Sequence, residues 1–151
     1  MRLMTVALLF VSLSASAGEY VSRSFSMSLG GSGWNTTYYN CDALEDLVEG
    51  HLEKLGASNI HVSCFGGLEQ WGNRWNPSPA SVTARFDAPV RSGTSSQTLT
   101  LKSRMGDSCD AHVATLDRAL PLFPGVKVLS RTAQCSGGRT DRWAYSVSIP
   151  E

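Results

Sequence analysis

Asn40-Cys41-Asp42-Ala43 stands about twenty residues before Cys64-Phe65-Gly66-Gly67, and Ser108-Cys109-Asp110-Ala111 precedes Cys135-Ser136-Gly137-Gly138 by a similar gap. The plan is the same both times: a capping residue, Cys-Asp-Ala, an amphipathic run, an apolar strand and Cys-x-Gly-Gly. All four cysteines belong to it. Four cysteines allow three pairings, and the repeat favours Cys41–Cys64 with Cys109–Cys135. A helix of about fourteen residues rises roughly 21 Å. A returning strand of about six residues covers roughly 20 Å. The helix start and the strand end therefore meet, as bridging requires. Each bridge closes a loop of about 24–27 residues and is expected to contribute on the order of 3 kcal/mol. Zinc is the rival use of four cysteines, but the paired close spacings of zinc motifs are absent. No metal or other cofactor is expected.

The chain opens on MRLMTVALLFVSLSASA. Arg2, the apolar run Leu3 to Leu13 and the small-x-small triplet Ala15-Ser16-Ala17 have the order of an export signal, with cleavage expected after Ala17. The apolar run is too short for a comfortable membrane span, and no later segment of the mature chain has the length and apolarity to cross. Residues 1–17 are thus read as a signal peptide and 18–151 as one exported domain built of two repeats, 18–92 and 93–151. An even cysteine count behind such a signal fits an oxidising compartment, periplasmic or extracellular.

Without Arg2 the chain carries 12 basic and 13 acidic residues, a net charge of −1. Nucleic acid needs a concentrated basic field and is not an expected partner. The first repeat is net −3 and the second net +2. That mild polarity is either ordinary scatter or a means of steering the halves, or a partner, together.

Tyr20 to Leu29 alternates strictly, with Val21, Phe25, Met27 and Leu29 on one side and Ser22, Ser24, Ser26 and Ser28 on the other. This is the pattern of a half-buried strand. After the glycine-rich loop from Gly30 to Tyr39, Asn40 caps a helix whose stripe is Leu44, Leu47, Val48, Leu52 and Leu55, and Gly56 ends it. Its acidic side, Asp42, Glu45, Asp46, Glu49 and Glu53, is either a solvated face or a ridge for a partner. Ile60, Val62 and Cys64 mark the second strand; Val82, Ala84 and Phe86 the third. Between them, Gly66 to Pro79 reads as a loop longer than a hairpin needs. Leu99 and Leu101 open the second repeat. Ser108 is expected to cap its helix, and Pro121 to end or bend it. The strand from Val126 to Cys135 slips phase near Leu129-Ser130, as a bulge would produce. Trp143, Tyr145, Val147 and Ile149 face inward on the last strand.

The order is βαββ, twice. We expect an α+β fold of tandem βαββ repeats, an antiparallel sheet with two helices packed on one face and two in-repeat disulfides. The other face is rich in hydroxyls and nearly free of charge. It is a soluble outer face, or a surface for another sheet, a glycan or an envelope polymer. The layout resembles, at fold level, the secreted β-lactamase-inhibitory proteins. No motif of that family carries over residue by residue.

Catalytic patterns are absent. His51, His61 and His112 form no metal-binding pair, no serine lies in a recognisable nucleophile context, and no cysteine is spare once both bridges form. What remains is aromatic: Trp34, Tyr38, Tyr39, Trp71 and Trp75 fall in stretches read as loops. Loop aromatics are hydrophobic plugs or contact residues, and these five are the candidate binding residues. Arg74-Trp75 and Arg142-Trp143 recur after the Gly-Gly pair, so one member is expected to be structural, as an arginine stacked on an indole. The leading expectation is a small exported binding protein without enzymatic activity, such as an inhibitor, an immunity-type protein or an envelope accessory factor. Its partner is an unknown protein or an envelope polymer. An envelope structural or assembly component is the alternative; a cell-wall-directed hydrolase comes third.

Overall fold

The computed structural model describes residues 18–30, 37–71, 74–103, 108–135 and 141–151, with backbone alone for 69–71 and 74–76. The segment read as an export signal, Trp34 and the second Gly-Gly pair lie outside the described residues. The elements run β1 (Tyr20–Leu29), α1 (Cys41–Lys54), β2 (Ser58–Trp71), β3 (Arg74–Pro89), β4 (Ser96–Lys102), α2 (Cys109–Ala119), a 3₁₀ turn (Leu120–Leu122), β5 (Lys127–Gln134) and β6 (Arg142–Pro150). This is the βαββ order, twice. Both disulfides are in-repeat, Cys41–Cys64 and Cys109–Cys135, each with Cα atoms 5.4 Å apart.

The strands form two antiparallel sheets, ordered β1-β3-β2 and β4-β6-β5, and not one continuous sheet. In each, the last strand of the repeat sits in the middle and takes both earlier strands as neighbours.

Local signals set the helix ends. The Asn40 side chain accepts the Ala43 amide at 3.2 Å. At the other end Gly56 takes φ +86° and donates to Glu53 O, while Ala57 donates to Leu52 O. These two bonds satisfy the last carbonyls of the helix, and the left-handed glycine makes them possible. Ser108 behaves differently: it occupies the cap position of α2, but its hydroxyl makes no capping bond. Pro121 does stop α2, turning the chain into the 3₁₀ segment. The expected bulge in β5 lies between Val128 and Ser130.

The inner faces of the two central strands differ in size. On β3 the buried positions are Ala80, Val82, Ala84, Phe86 and Ala88; on β6 they are Trp143, Tyr145, Val147 and Ile149. Alanine lets a helix approach closely, and α1 lays Leu44, Val48 and Leu52 into the same core. Of the bulky β6 residues, Trp143 reaches the first repeat. Phe86 stacks on Phe123 at 5.3 Å between ring centres. Trp143 packs against His51 of α1 and His112 of α2. Helix α2 also lies against β1 of the first repeat. One hydrophobic cluster therefore runs through both repeats.

Glu45, expected on the outer acidic face of α1, is instead half-buried, and its carboxylate accepts the Cys64 amide at 2.7 Å. Helix and strand are thereby joined beside the disulfide as well as through it.

Candidate functional site

The structure sorts the five candidate aromatics. Tyr39 is a core residue, 8% exposed. Its carbonyl accepts the Leu68 amide at 2.8 Å, and a Cβ on Gly67, whose φ is +78°, would lie 2.2 Å from that oxygen. Burial, with Asp110 nearby, pushes its hydroxyl pKa up. Tyr39 thus holds the Gly-Gly corner through its backbone and buries its side chain in the core. Tyr38 is half-buried. Trp34 lies outside the described residues.

Trp71 and Trp75 are not in a loop. The β2–β3 ladder continues past a register shift at Phe65/Gly67 through Gly67↔Ser78 to Trp71↔Arg74. The last β1–β3 rung is Leu29↔Ala80. Beyond it the hairpin is a two-stranded ribbon, with Trp71 and Trp75 on opposite strands and on consecutive rungs, Trp71↔Arg74 and Gln70↔Trp75. Gly and Pro punctuation suggested irregular chain here. Proline is tolerated because β1 has already ended, leaving an edge on β3 where a missing amide costs no ladder bond.

Among the described residues no arginine stacks on the Trp143 indole. Its ring, 3% exposed, stacks on His112 at 4.6 Å and 20°, and His51 meets both rings edge-on. His51 Nε2 and His112 Nδ1 are 2.7 Å apart, sharing one hydrogen bond across the repeat boundary. With His51 only 2% exposed, the pair is packed inside the protein. Among the described residues no group of three metal-ligating side chains converges there or elsewhere. Sequence periodicity put His51 on the helix stripe, but nothing local marks His112 as its partner.

A second polar cluster ties α2 to its sheet. Arg131 donates twice to Asp117, at 3.0 and 2.7 Å, and the Tyr145 hydroxyl donates to Asp117 at 2.7 Å. The guanidinium also lies over the Tyr145 ring, 5.7 Å from its centre. The Arg131 hydrogen bonds hold the Asp117 carboxyl below the usual carboxylate range. Burial first, and the Asp117 bond next, push Tyr145 up to about 12. The sign of each effect follows. A raised tyrosine favours the fold until pH passes the unfolded value near 10, and that contribution drains away between about 10 and 12. A depressed aspartate contributes above about pH 4, and the contribution is lost as pH falls through the folded value. Tyr145→Phe is expected to flatten the alkaline loss: urea midpoints measured at about pH 9 and 11.5 should differ less in the variant than in the parent. Equal losses would place the alkaline sensitivity elsewhere.

The outer face of the first sheet is polar and rich in hydroxyls. Across its strands the register sets Ser22 beside Asp87, Ser24 beside Arg85 and His61, Ser26 beside Thr83 and Ser63, and Ser28 beside Ser81 and Phe65. At one end is an open hollow of about 360 Å³ lined by Ser22, Ser24, Asn59, His61, Arg85 and Asp87. Within it Asp87 accepts the Ser22 hydroxyl at 2.5 Å and the Asn59 amide at 2.7 Å. These bonds, Asn59's first, hold its carboxyl below the usual range. Asn59 adopts φ +50°, at the register shift between Ser58 and His61. The bulge turns Asn59 toward Asp87. Ser22, His61 and Asp87 are not a nucleophile triad: the partners of Asp87 are Ser22 and Asn59.

No family model, curated protein or solved structure matches the chain.

Proposed function

We propose that the chain is a small exported binding protein without catalytic activity of its own, of the inhibitor, immunity or envelope-accessory kind. Export is expected to remove residues 1–17 and leave Gly18 at the N-terminus. Two disulfides and the lack of any helix long and apolar enough to cross a membrane, among the described residues, are compatible with this.

The observation that carries the proposal is the ribbon. Two-stranded hairpins are marginal on their own in water, yet β2 and β3 continue well past β1 and bring Trp71 and Trp75 with them. Among the described residues the second repeat shows no comparable extension: β5 and β6 pair from Lys127↔Ser148 to Gln134↔Arg142. Helix-on-sheet packing therefore does not require the ribbon, and a protein partner gives it a use.

Trp71→Ala tests this. A tryptophan at the centre of an interface costs about 2 kcal/mol or more when truncated, roughly thirtyfold in affinity. The variant should fail to retain a partner that the parent protein pulls from the periplasmic or secreted fraction, with a melting temperature within a few degrees of the parent. A large fall in melting temperature with capture intact would make the ribbon a hydrophobic plug.

The second reading is an envelope structural or assembly component. The hydroxyl-lined outer face of the first sheet favours it, and co-sedimentation with an envelope polymer is its test.

A further inference from the structure

We propose that the outer face of the first sheet binds an acidic polysaccharide, seating one of its oxyanionic groups on Arg85 between Ser24 and His61. This deepens the second reading above and is independent of the ribbon.

The charge balance of the hollow comes first. Arg85 is exposed at the centre of the three-stranded face, with Ser24 and His61 as its direct cross-strand neighbours. Among the described residues no hydrogen bond or ion pair engages its guanidinium. The acid on the same strand face, Asp87, already accepts on each carboxylate oxygen, from Ser22 and from Asn59. A fixed positive charge with five donors thus stands in a hollow whose one carboxylate is otherwise occupied. A planar fork of this kind recognises a carboxylate or phosphate by paired hydrogen bonds. Ser24 supplies a hydroxyl and His61 a ring nitrogen on either flank.

The rest of the face decides what carries the anion. Beyond Arg85 come Ser26, Thr83 and Ser63, then Ser28, Ser81 and Phe65, with hydroxyls as nearly all of its polar groups. Each hydroxyl both donates and accepts, which suits the hydroxyls of a sugar chain. Phe65 ends the row with a ring 72% exposed, available to lie against the C–H face of a pyranose. From the Arg85 rung to the Phe65 rung is roughly 13 Å along the strands, the reach of a short oligosaccharide. A protein partner fits less well, because interface centres are built on clustered aromatic and apolar anchors, and this face offers one ring at its edge. Nucleic acid fits less well again, since one central arginine is no track for a phosphate backbone.

Titration calorimetry on the exported chain with oligogalacturonate, a neutral dextran oligomer and inorganic phosphate tests the proposal. Oligogalacturonate should bind, weaken with added salt, and outcompete both other probes. Arg85→Ala should reduce its affinity about tenfold or more, the scale of a charge-assisted hydrogen bond. Ser24→Asp keeps the guanidinium but sets a carboxylate against it, so it should weaken binding equally and serves if Arg85→Ala does not fold. Phe65→Ala should weaken binding to a smaller extent. Absence of oligogalacturonate binding, or binding that neither charge variant weakens, would overturn the proposal. Phosphate binding as tightly as oligogalacturonate would overturn the polysaccharide. Equal binding by dextran would overturn the anion preference and leave the envelope-component reading standing.

Discussion

Trp143→Ala is expected to destabilise the protein by about 3–5 kcal/mol, the usual range for truncating a large buried aromatic. Native domains are stable by only about 5–15 kcal/mol in total, so the variant should sit near the edge of folding. Two features put the effect at the upper end. The indole is the floor on which His112 stacks and against which His51 stands, so its loss opens space beside a buried hydrogen-bonded pair. The helices cannot collapse freely to fill that space, because each is tied to its own sheet by a disulfide. Phe65→Ala removes an exposed ring and is the matched control, expected within about 0.5 kcal/mol of the parent. Urea denaturation followed by tryptophan-independent circular dichroism reads both. Trp143 joins the repeats, so the parent should unfold in one transition. A loss below about 1 kcal/mol in Trp143→Ala, or separate transitions for the two repeats, would show that the shared core contributes little.

Replacing both cysteines of either bridge by alanine is expected to cost about 2–5 kcal/mol. The bridges span 23 and 26 residues in sequence. Loop-closure entropy grows only as the logarithm of length, so this difference accounts for roughly 0.1 kcal/mol. The two double variants should therefore lose similar stability, and any larger gap measures what else holds each helix to its strand. The first repeat keeps the Glu45 bond to the Cys64 amide and the second keeps the Asp117–Arg131 pair. The double variants should also show larger m-values in urea, because an unfolded state with one crosslink fewer exposes more surface. Losses under about 1 kcal/mol for both would mean that packing alone specifies the fold and that the staples are incidental.

What could be read without coordinates was whatever neighbours along the chain decide. Asn40, Gly56 and Pro121 act within one helical turn of themselves, so helix ends were legible. The alternation from Tyr20 to Leu29 follows from the two-residue strand repeat, which showed the serine face before the sheet was known. The disulfide pairing followed from helix and strand lengths, since both are set by rise per residue. The division into two three-stranded sheets was not legible, because alternation tells which face of a strand is buried and is silent on which strand lies beside it. The Trp71–Trp75 segment looked like a loop because its prolines and glycines punctuate locally; pairing across the hairpin outweighs that where β1 no longer flanks β3. Alternation along the last strand already turned Trp143 inward, but Tyr39 stood in a stretch read as loop, and only the tertiary structure put it inside. The docking of the two repeats set His51 against His112, and the β3 register set Arg85 between Ser24 and His61. These are contacts between residues far apart in sequence, and tertiary packing alone decided them, because no local preference of the backbone distinguishes one distant partner from another.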